Sequence, residues 1–298
     1  GATCYMNSIL QQLYFVIPFR RYILGSEHEE LKHIFARLSL SEKKYVATQP
    51  FVQNFRGWGG IQIDPREQQD APEFLQMLVD TFPEEIKHFF EGTTISLFEG
   101  INEDFHRESI ETFCAFPLEV KGYSNVEESI QVFLQPEYFN GPKQYFDEQQ
   151  QKKIDVKRTT RIMKCPPVIC FQLKRFEYNY TTGNREKINT PYSFPCVLNV
   201  GDLLVENQTL LYSLFGVVVH TGSAIGGHYI SLIKQSDGWL KFDDREVTEM
   251  TEEEFRESTI GKPPKNELDH QPYAYLLFYT RFGKEEDPEI TTEMRQVI

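Results

Sequence analysis

Gly226-Gly227-His228-Tyr229-Ile230-Ser231-Leu232-Ile233-Lys234, then Ser236-Asp237-Gly238, then Trp239-Leu240-Lys241-Phe242-Asp243 is the stretch on which the fold turns. β-branched and aromatic residues predict strands from His228 to Lys234 and from Trp239 to Phe242, and the Ser-Asp-Gly triplet supplies the turn between them. Strands joined so tightly run antiparallel, so the start of the first approaches the end of the second. His228 and Asp243 hold those two positions. A carboxylate placed there can fix a histidine tautomer and stabilise its imidazolium; Asp244 is the neighbouring choice. The glycine pair ahead of His228 permits close approach of backbone and ligand.

Working outward, Val168 to Phe176 behind Pro166-Pro167, Ser213 to His220 and Tyr273 to Tyr279 read as further, successive antiparallel strands. Shorter strand segments fill the middle at Ile95 to Phe98, Phe113 to Val120 and Lys157 to Met163. The first third is helical instead. From Met6, residues Ile9, Leu10, Leu13, Tyr14 and Ile17 keep three-four spacing, and Pro18 is expected to disrupt that helix. Ser26 with Glu29 makes a capping-box pattern ahead of Leu31, Ile34, Phe35 and Leu38, and Asp70 with Glu73 repeats it ahead of Phe74, Leu75, Leu78, Val79 and Phe82. From Lys284 the chain is polar and reads as a loosely tied tail or exit helix. The class is therefore α+β.

Composition narrows the function. With 298 residues, 40% hydrophobic, 25% charged and no low-complexity tract, the chain is globular rather than disordered. A formal charge of −13 weighs against a nucleic-acid partner and for a basic one. Apolar runs such as Leu214 to Val219 are too short to span a bilayer, and nothing at the start resembles a signal peptide. Because the sequence begins with Gly1 and enters a helical pattern directly, it reads as a domain cut from a longer chain. Five thinly spread cysteines, an odd number, point to free thiols and a reducing compartment, with cytoplasm or nucleus as the expected location.

Of these thiols, Cys4 falls at a helix N-terminus, where the macrodipole favours thiolate, the nucleophilic form. Its plain alternative is a small buried apolar residue. A nucleophilic cysteine needs a histidine to take its proton and an acceptor to orient that histidine, and both can lie far away in sequence. His228 and Asp243 fit those needs. His220 also ends a strand but lacks the preceding glycines and is read as a cleft neighbour; His28, His33, His88 and His106 carry no pairing signal. No Cys-x-x-Cys or helical His pair suggests a metal, and Cys165 and Cys170 read as buried structural residues. Neither Gly57 to Gly60 nor Gly222 to Gly227 has the Lys-Ser/Thr ending of a phosphate loop.

Gly1-Ala2-Thr3-Cys4-Tyr5-Met6-Asn7-Ser8, followed by Leu10-Gln11-Gln12-Leu13, resembles the cysteine box of the ubiquitin-specific proteases, a papain-like family of deubiquitinating enzymes. Gln68-Gln69-Asp70-Ala71-Pro72-Glu73-Phe74-Leu75 is similar to the family's glutamine box, Leu173-Lys174-Arg175-Phe176 to its central strand motif and Gly226-Gly227-His228-Tyr229 to its histidine box. Trp239 to Asp244 and Tyr273-Ala274-Tyr275 complete the set, in family order across nearly the whole chain. The resemblance implies one catalytic domain over 1–298, with a helical thumb near 1–94, β fingers mainly over 95–165, an antiparallel-sheet palm mainly over 166–283 and a tail over 284–298. It implies a monomer that hydrolyses the bond after the C-terminal glycine of ubiquitin, with Cys4 as nucleophile, His228 as base and then acid, and Asp243 as its orienting group. Gln68 and Asp244 would support them. Asp70 and Glu73 would meet arginines near ubiquitin's tail, and Tyr145, Phe176, Tyr178, Tyr229 and Tyr275 would line the binding surface. The loop from Thr221 to Gly227 would gate the site.

Two departures from the family pattern carry consequences. Many members hold zinc in the fingers through two cysteine pairs, but here Asp147 and Gln150 stand where one pair is expected, and Ile101 to Arg107 lacks the other. The implied fingers are metal-free, as in the herpesvirus-associated ubiquitin-specific protease, with no cofactor. The family's oxyanion-stabilising Asn lies upstream of the glycine matching Gly1, leaving backbone N–H groups near Cys4 and the Asp244 region as donors. Two alternatives remain: a non-catalytic ubiquitin-binding module, or a protease for a ubiquitin-like modifier, which would need different tail contacts.

Overall fold

The computed structural model describes residues 2–43, 45–224, 226–236, 238–262 and 271–282. Its first third is a helical lobe of α1 (Cys4–Tyr14), α2 (Ile17–Gly25), α3 (Glu29–Leu40), α4 (Gln49–Asn54), α5 (Ala71–Asp80) and α6 (Glu84–Lys87). Pro18 does not end α1. That helix stops at Tyr14, and Pro18 sits in the first turn of α2, where a missing N–H costs nothing. Neither expected capping box at these helices forms. Ser26 bonds the Ile23 carbonyl and the His28 N–H ahead of α3, while Asp70, at the N-cap of α5, turns its carboxylate to two tyrosine hydroxyls.

Next come β1 (Gly92–Gly100), β2 (His106–Phe113), β3 (Phe116–Glu119), α7 (Val126–Phe133), β4 (Glu137–Phe139), β5 (Tyr145–Asp147), β6 (Lys152–Ile154) and β7 (Val156–Lys164). Strands β2-β1-β7-β4 make a separate four-stranded sheet, and β5-β6 a hairpin. The Tyr145 ring lies 5.6 Å from Phe98 and 5.5 Å from Phe105, its hydroxyl accepts from Arg107 at 2.6 Å, and Lys152 pairs with Glu103. This aromatic and ionic packing ties the hairpin to the Ile101–Arg107 turn. Among the described residues no group of three or more His, Cys, Asp or Glu side chains is placed to hold a metal.

The rest builds the main sheet: β8 (Val168–Lys174), β9 (Phe176–Asn179), β10 (Asn184–Lys187), β11 (Val197–Asn199), β12 (Leu211–Gly222), β13 (Gly227–Gln235), β14 (Gly238–Asp243), β15 (Glu246–Met250), α8 (Glu252–Thr259) and β16 (Tyr273–Arg281). Its order is β15-β14-β13-β12-β16-β8-β3, with β11 on β12 and β9-β10 as a separate hairpin. Every pairing is antiparallel except β3 with β8, which is parallel. Between β3 and β8 the chain passes through α7, adds β4 and β7 to the sheet begun by β1 and β2, makes the β5-β6 hairpin and returns in the same direction, the long crossover that parallel pairing needs. Thus β3 joins the main sheet, and α7 packs on it.

Both faces of this sheet are covered. Val218, Tyr275 and Phe278 pack against the helical lobe, while Val217, Val219, Leu277 and Tyr279 face the opposite core with α7 and α8. Two-sided burial explains the unbroken apolar runs of β8 and β16. No helix among the described residues is long and apolar enough to cross a membrane. Asp237 and the tail from Lys284 lie outside the described residues.

Candidate active site

Cys4 is the first residue of α1, buried beneath the lobe, and α1 packs on β13, which carries His228. A polar clamp fixes that approach: the buried Gln12 amide donates to Ser231 Oγ at 2.8 Å and the Leu232 carbonyl at 3.2 Å. Gly216 makes room for it, since a Cβ there would lie 1.7 Å from Gln12 Oε1.

The turn between β13 and β14 pairs Gln235 with Gly238, and the ladder runs back to Ser231 opposite Phe242. Beyond it, His228 Nε2 and Asp243 Oδ1 meet at 2.6 Å. Nε2 is thereby engaged, leaving Nδ1 as the nitrogen for the thiol. The neighbouring Cys4 thiol is the main reason the His228 pKa is pushed up to about 9; burial opposes the rise, and the bond and charge of Asp243 add to it. Burial alone would raise the Asp243 carboxyl, but bonds from His228 and Lys241, the latter at 3.1 Å, overcome it and hold the carboxyl below its ordinary range. The arrangement can carry a proton from sulfur to imidazole and keep the resulting cation beside a carboxylate.

Asp244 does not face His228. Its backbone is left-handed, with φ 53°, and its carboxylate accepts from Asn7 Nδ2 at 2.7 Å, tying the end of β14 to the first turn of α1. Asn7 in turn accepts from Thr48 at 3.3 Å. Gln68 grips the peptide immediately before His228, donating to the Gly227 carbonyl at 2.8 Å and accepting from the Gly227 N–H at 3.2 Å. Gly227 is indispensable here: an added Cβ would meet the Thr221 carbonyl at 2.2 Å and His220 Nε2 at 2.4 Å.

Beside this line lies an aromatic group. Phe176, His220, Tyr229 and Tyr275 pack with ring centroids 4.9–6.4 Å apart. The Tyr229 and Tyr275 hydroxyls both donate to Asp70, at 3.0 and 2.8 Å, and burial raises the Asp70 carboxyl. Burial drops the His220 pKa to about 3, so the imidazole is neutral, and its Nδ1 has no partner. Glu73 is exposed on α5, and with Asp70, Trp58, Gln76, Cys114 and Gln172 it lines a cleft between lobe and sheet. The structure does not bring Tyr145 or Tyr178 into this group: Tyr145 packs against Phe98 of β1, and Tyr178 stands exposed on the β9-β10 hairpin against Tyr180. Sequence reading passed over Gln12, Asn7 and Lys187, whose partners all lie far along the chain.

Thiol, imidazole and carboxylate between a helical lobe and a largely antiparallel sheet define a papain-like cysteine hydrolase fold. The family model described as ubiquitin carboxyl-terminal hydrolase matches residues 1–279, and this chain belongs to that family. It is 32% identical to ubiquitin carboxyl-terminal hydrolase 26 of Oryza sativa subsp. japonica, over 89% of this chain and 26% of that protein. The protein of the same name from Arabidopsis thaliana is 33% identical over 88% of this chain and 27% of its own length. Ubiquitin carboxyl-terminal hydrolase 15 of Saccharomyces cerevisiae is 30% identical over 96% and 27%. The chain spans about a quarter of the length of these curated relatives. Their names agree with the ubiquitin-specific protease family that the cysteine and histidine boxes resemble.

Proposed function

We propose that this chain is a thiol-dependent hydrolase that cleaves the isopeptide or peptide bond after the C-terminal glycine of ubiquitin. The observation that carries the reading is the His228–Asp243 pair on β13 and β14, with Cys4 acting on the same imidazole from the start of α1, in a chain of the ubiquitin carboxyl-terminal hydrolase family. His228 takes the Cys4 proton, and the thiolate adds to the glycine carbonyl carbon. The carbon–nitrogen bond breaks as the leaving amine takes the proton from His228, and a thioester remains. Water then attacks it, losing a proton to His228; the carbon–sulfur bond breaks, the sulfur regains a proton, and ubiquitin departs with a free C-terminal carboxylate.

Asp243 orients His228, and Gln68 and Asp244 support the line from either side. Asp70 and Glu73 receive arginines of ubiquitin's tail; the hydroxyls of Tyr229 and Tyr275 support this role by fixing the Asp70 carboxylate beside the cleft. Phe176, Tyr229 and Tyr275 serve the tail, and Tyr145 and Tyr178 the globular body of ubiquitin. The partners are ubiquitin and ubiquitinated proteins in the cytoplasm or nucleus, and the domain works as a monomer without nucleic acid or membrane. The aromatic anchoring of Tyr145 supports placing it with the metal-free, herpesvirus-associated subgroup.

Hydrolysis of ubiquitin carrying a C-terminal fluorogenic amide tests this. The wild-type chain releases the fluorophore, and Cys4→Ser and His228→Ala each abolish release; release that survives Cys4→Ser refutes the assignment.

A further inference from the structure

Lys187 ends β10, cross-strand from Phe176 at the foot of the β9-β10 hairpin. It is partly buried, and among the described residues no carboxylate lies within ion-pair distance of its ammonium. Instead Nζ donates to the backbone carbonyls of His220 at 2.9 Å and Gly222 at 3.2 Å, and it lies 5.5 Å from the Tyr273 ring, which Arg175 also covers at 4.9 Å. Burial, with the neighbouring Arg175 charge, pulls its pKa down to about 7. A partly buried cation next to another cation and away from any carboxylate is a costly choice, and a methionine would fill the same space without that cost.

The two carbonyls it holds bracket Thr221, and Thr221 is the cross-strand partner of His228. Gly222, the next residue, pairs with Gly227 where the loop between β12 and β13 closes. Gln68 grips that closure from the other side, at Gly227. The two ends of the loop that delivers His228 are therefore held by two side chains, Gln68 from the helical lobe and Lys187 from the hairpin. His228 follows Gly227 directly, so freedom at either grip moves the imidazole relative to Cys4 and Asp243.

We propose that Lys187 is a positioning residue for the catalytic base, its ammonium fixing the end of β12 so that His228 stays in line with Cys4 and Asp243. The inference rests on the hydrolase reading above and adds a residue to it. An ammonium suits the task because it can offer separate donors to two carbonyls that point to one side of a strand end, which an apolar side chain cannot do.

The test compares wild type, Lys187→Met and Lys187→Arg in steady-state hydrolysis of the fluorogenic ubiquitin amide, with hydrogen exchange of the segment from Thr221 to Tyr229 read by mass spectrometry. Lys187→Met is expected to lower kcat by about tenfold or more, since small misplacements of reacting groups have large kinetic effects. KM stays within about twofold, because the substrate contacts are untouched. Exchange rises in that segment alone, and Lys187→Arg recovers most of kcat. An unchanged kcat in Lys187→Met overturns the proposal, as does a loss of kcat that accompanies a general rise in exchange and is not recovered by arginine. Lys187→Gln, too short to span both carbonyls, makes the same comparison should the methionine variant not fold. Failure of the hydrolase reading looks different: wild type itself then releases no fluorophore, and both ideas fall together.

Discussion

The chemistry rests on one imidazole with two partners. Because the pKa of His228 is pushed up to about 9, the group is cationic at neutral pH whenever the sulfur beside it carries the negative charge. Activity is therefore expected to fall on the alkaline side near pH 9, as the imidazolium is lost. Asp243→Asn removes one of the groups that raise this pKa, so the alkaline limb of the kcat/KM profile should move to lower pH, with a loss of about 100-fold or more at pH 7.5. A profile that keeps its alkaline limb in the variant would show that Asp243 does not act on His228. The linkage has a definite sign: a raised pKa contributes stability in full below the ordinary value of 6.5, and that contribution disappears as pH rises through about 9. At the recognition end, Asp70→Asn with Glu73→Gln should raise KM for the ubiquitin substrate by about tenfold, while alkylation of Cys4 by iodoacetamide proceeds as in wild type. Equal KM values would remove both carboxylates from the recognition scheme. The pairing of His228 and Asp243 was legible because a period-two pattern and a short turn dictate which strand ends meet. That Asp70 would be bound by tyrosines 159 and 205 residues away was not, since no local pattern records such distances.

Between elements, the relation of α1 to β13 decides whether thiol and imidazole meet, and Gln12 with Gly216 governs it. Gly216→Ala drives a methyl group into the Gln12 amide and should cost about 1–3 kcal/mol in urea unfolding. Adding Gln12→Ala removes the obstacle, so the pair should be markedly less destabilised than the sum of the single changes; strict additivity would contradict the contact. Sequence patterns located these elements well, because three-four and period-two spacings report which face is buried. Capping was read less well, since a cap depends on what else competes for the side chain. Asp70 is taken by Tyr229 and Tyr275, and Ser26 by its own turn, whereas the complete capping box lies at Thr251 and Glu254 on α8. Lys187 looked like one more charge in Asn184-Arg185-Glu186-Lys187; its burial comes from Tyr273 and the end of β12, which meet it only in the folded molecule.

On the scale of the whole molecule, a sheet covered on both faces carries His228 and Asp243, the helical lobe on one face carries Cys4, and β2-β1-β7-β4 form a separate sheet. Order in the β5-β6 hairpin comes from Phe98, Phe105, Tyr145 and Arg107 together with the Lys152–Glu103 pair. Treatment with a chelator should accordingly leave both Tm and activity unchanged, as followed by differential scanning fluorimetry; a fall in Tm restored by zinc would show a bound metal. The β3–β8 parallel pairing was hidden from sequence reading because α7 and the strands β4 to β7 separate the partners, and nothing local distinguishes a parallel from an antiparallel neighbour.

Five thiols offer the sharpest test of the central claim. Burial pushes Cys114 up to about 12 and raises Cys165 and Cys170 as well, which keeps them protonated, while Cys196 is exposed and Cys4 is the thiol that acts on His228. The measurement is reaction of the chain with ubiquitin bearing a C-terminal electrophile, followed by mass spectrometry of the adduct and its peptides. A single ubiquitin attached at Cys4, and none in Cys4→Ala, is the predicted result; an adduct at Cys196, or no adduct with folded protein, would contradict it.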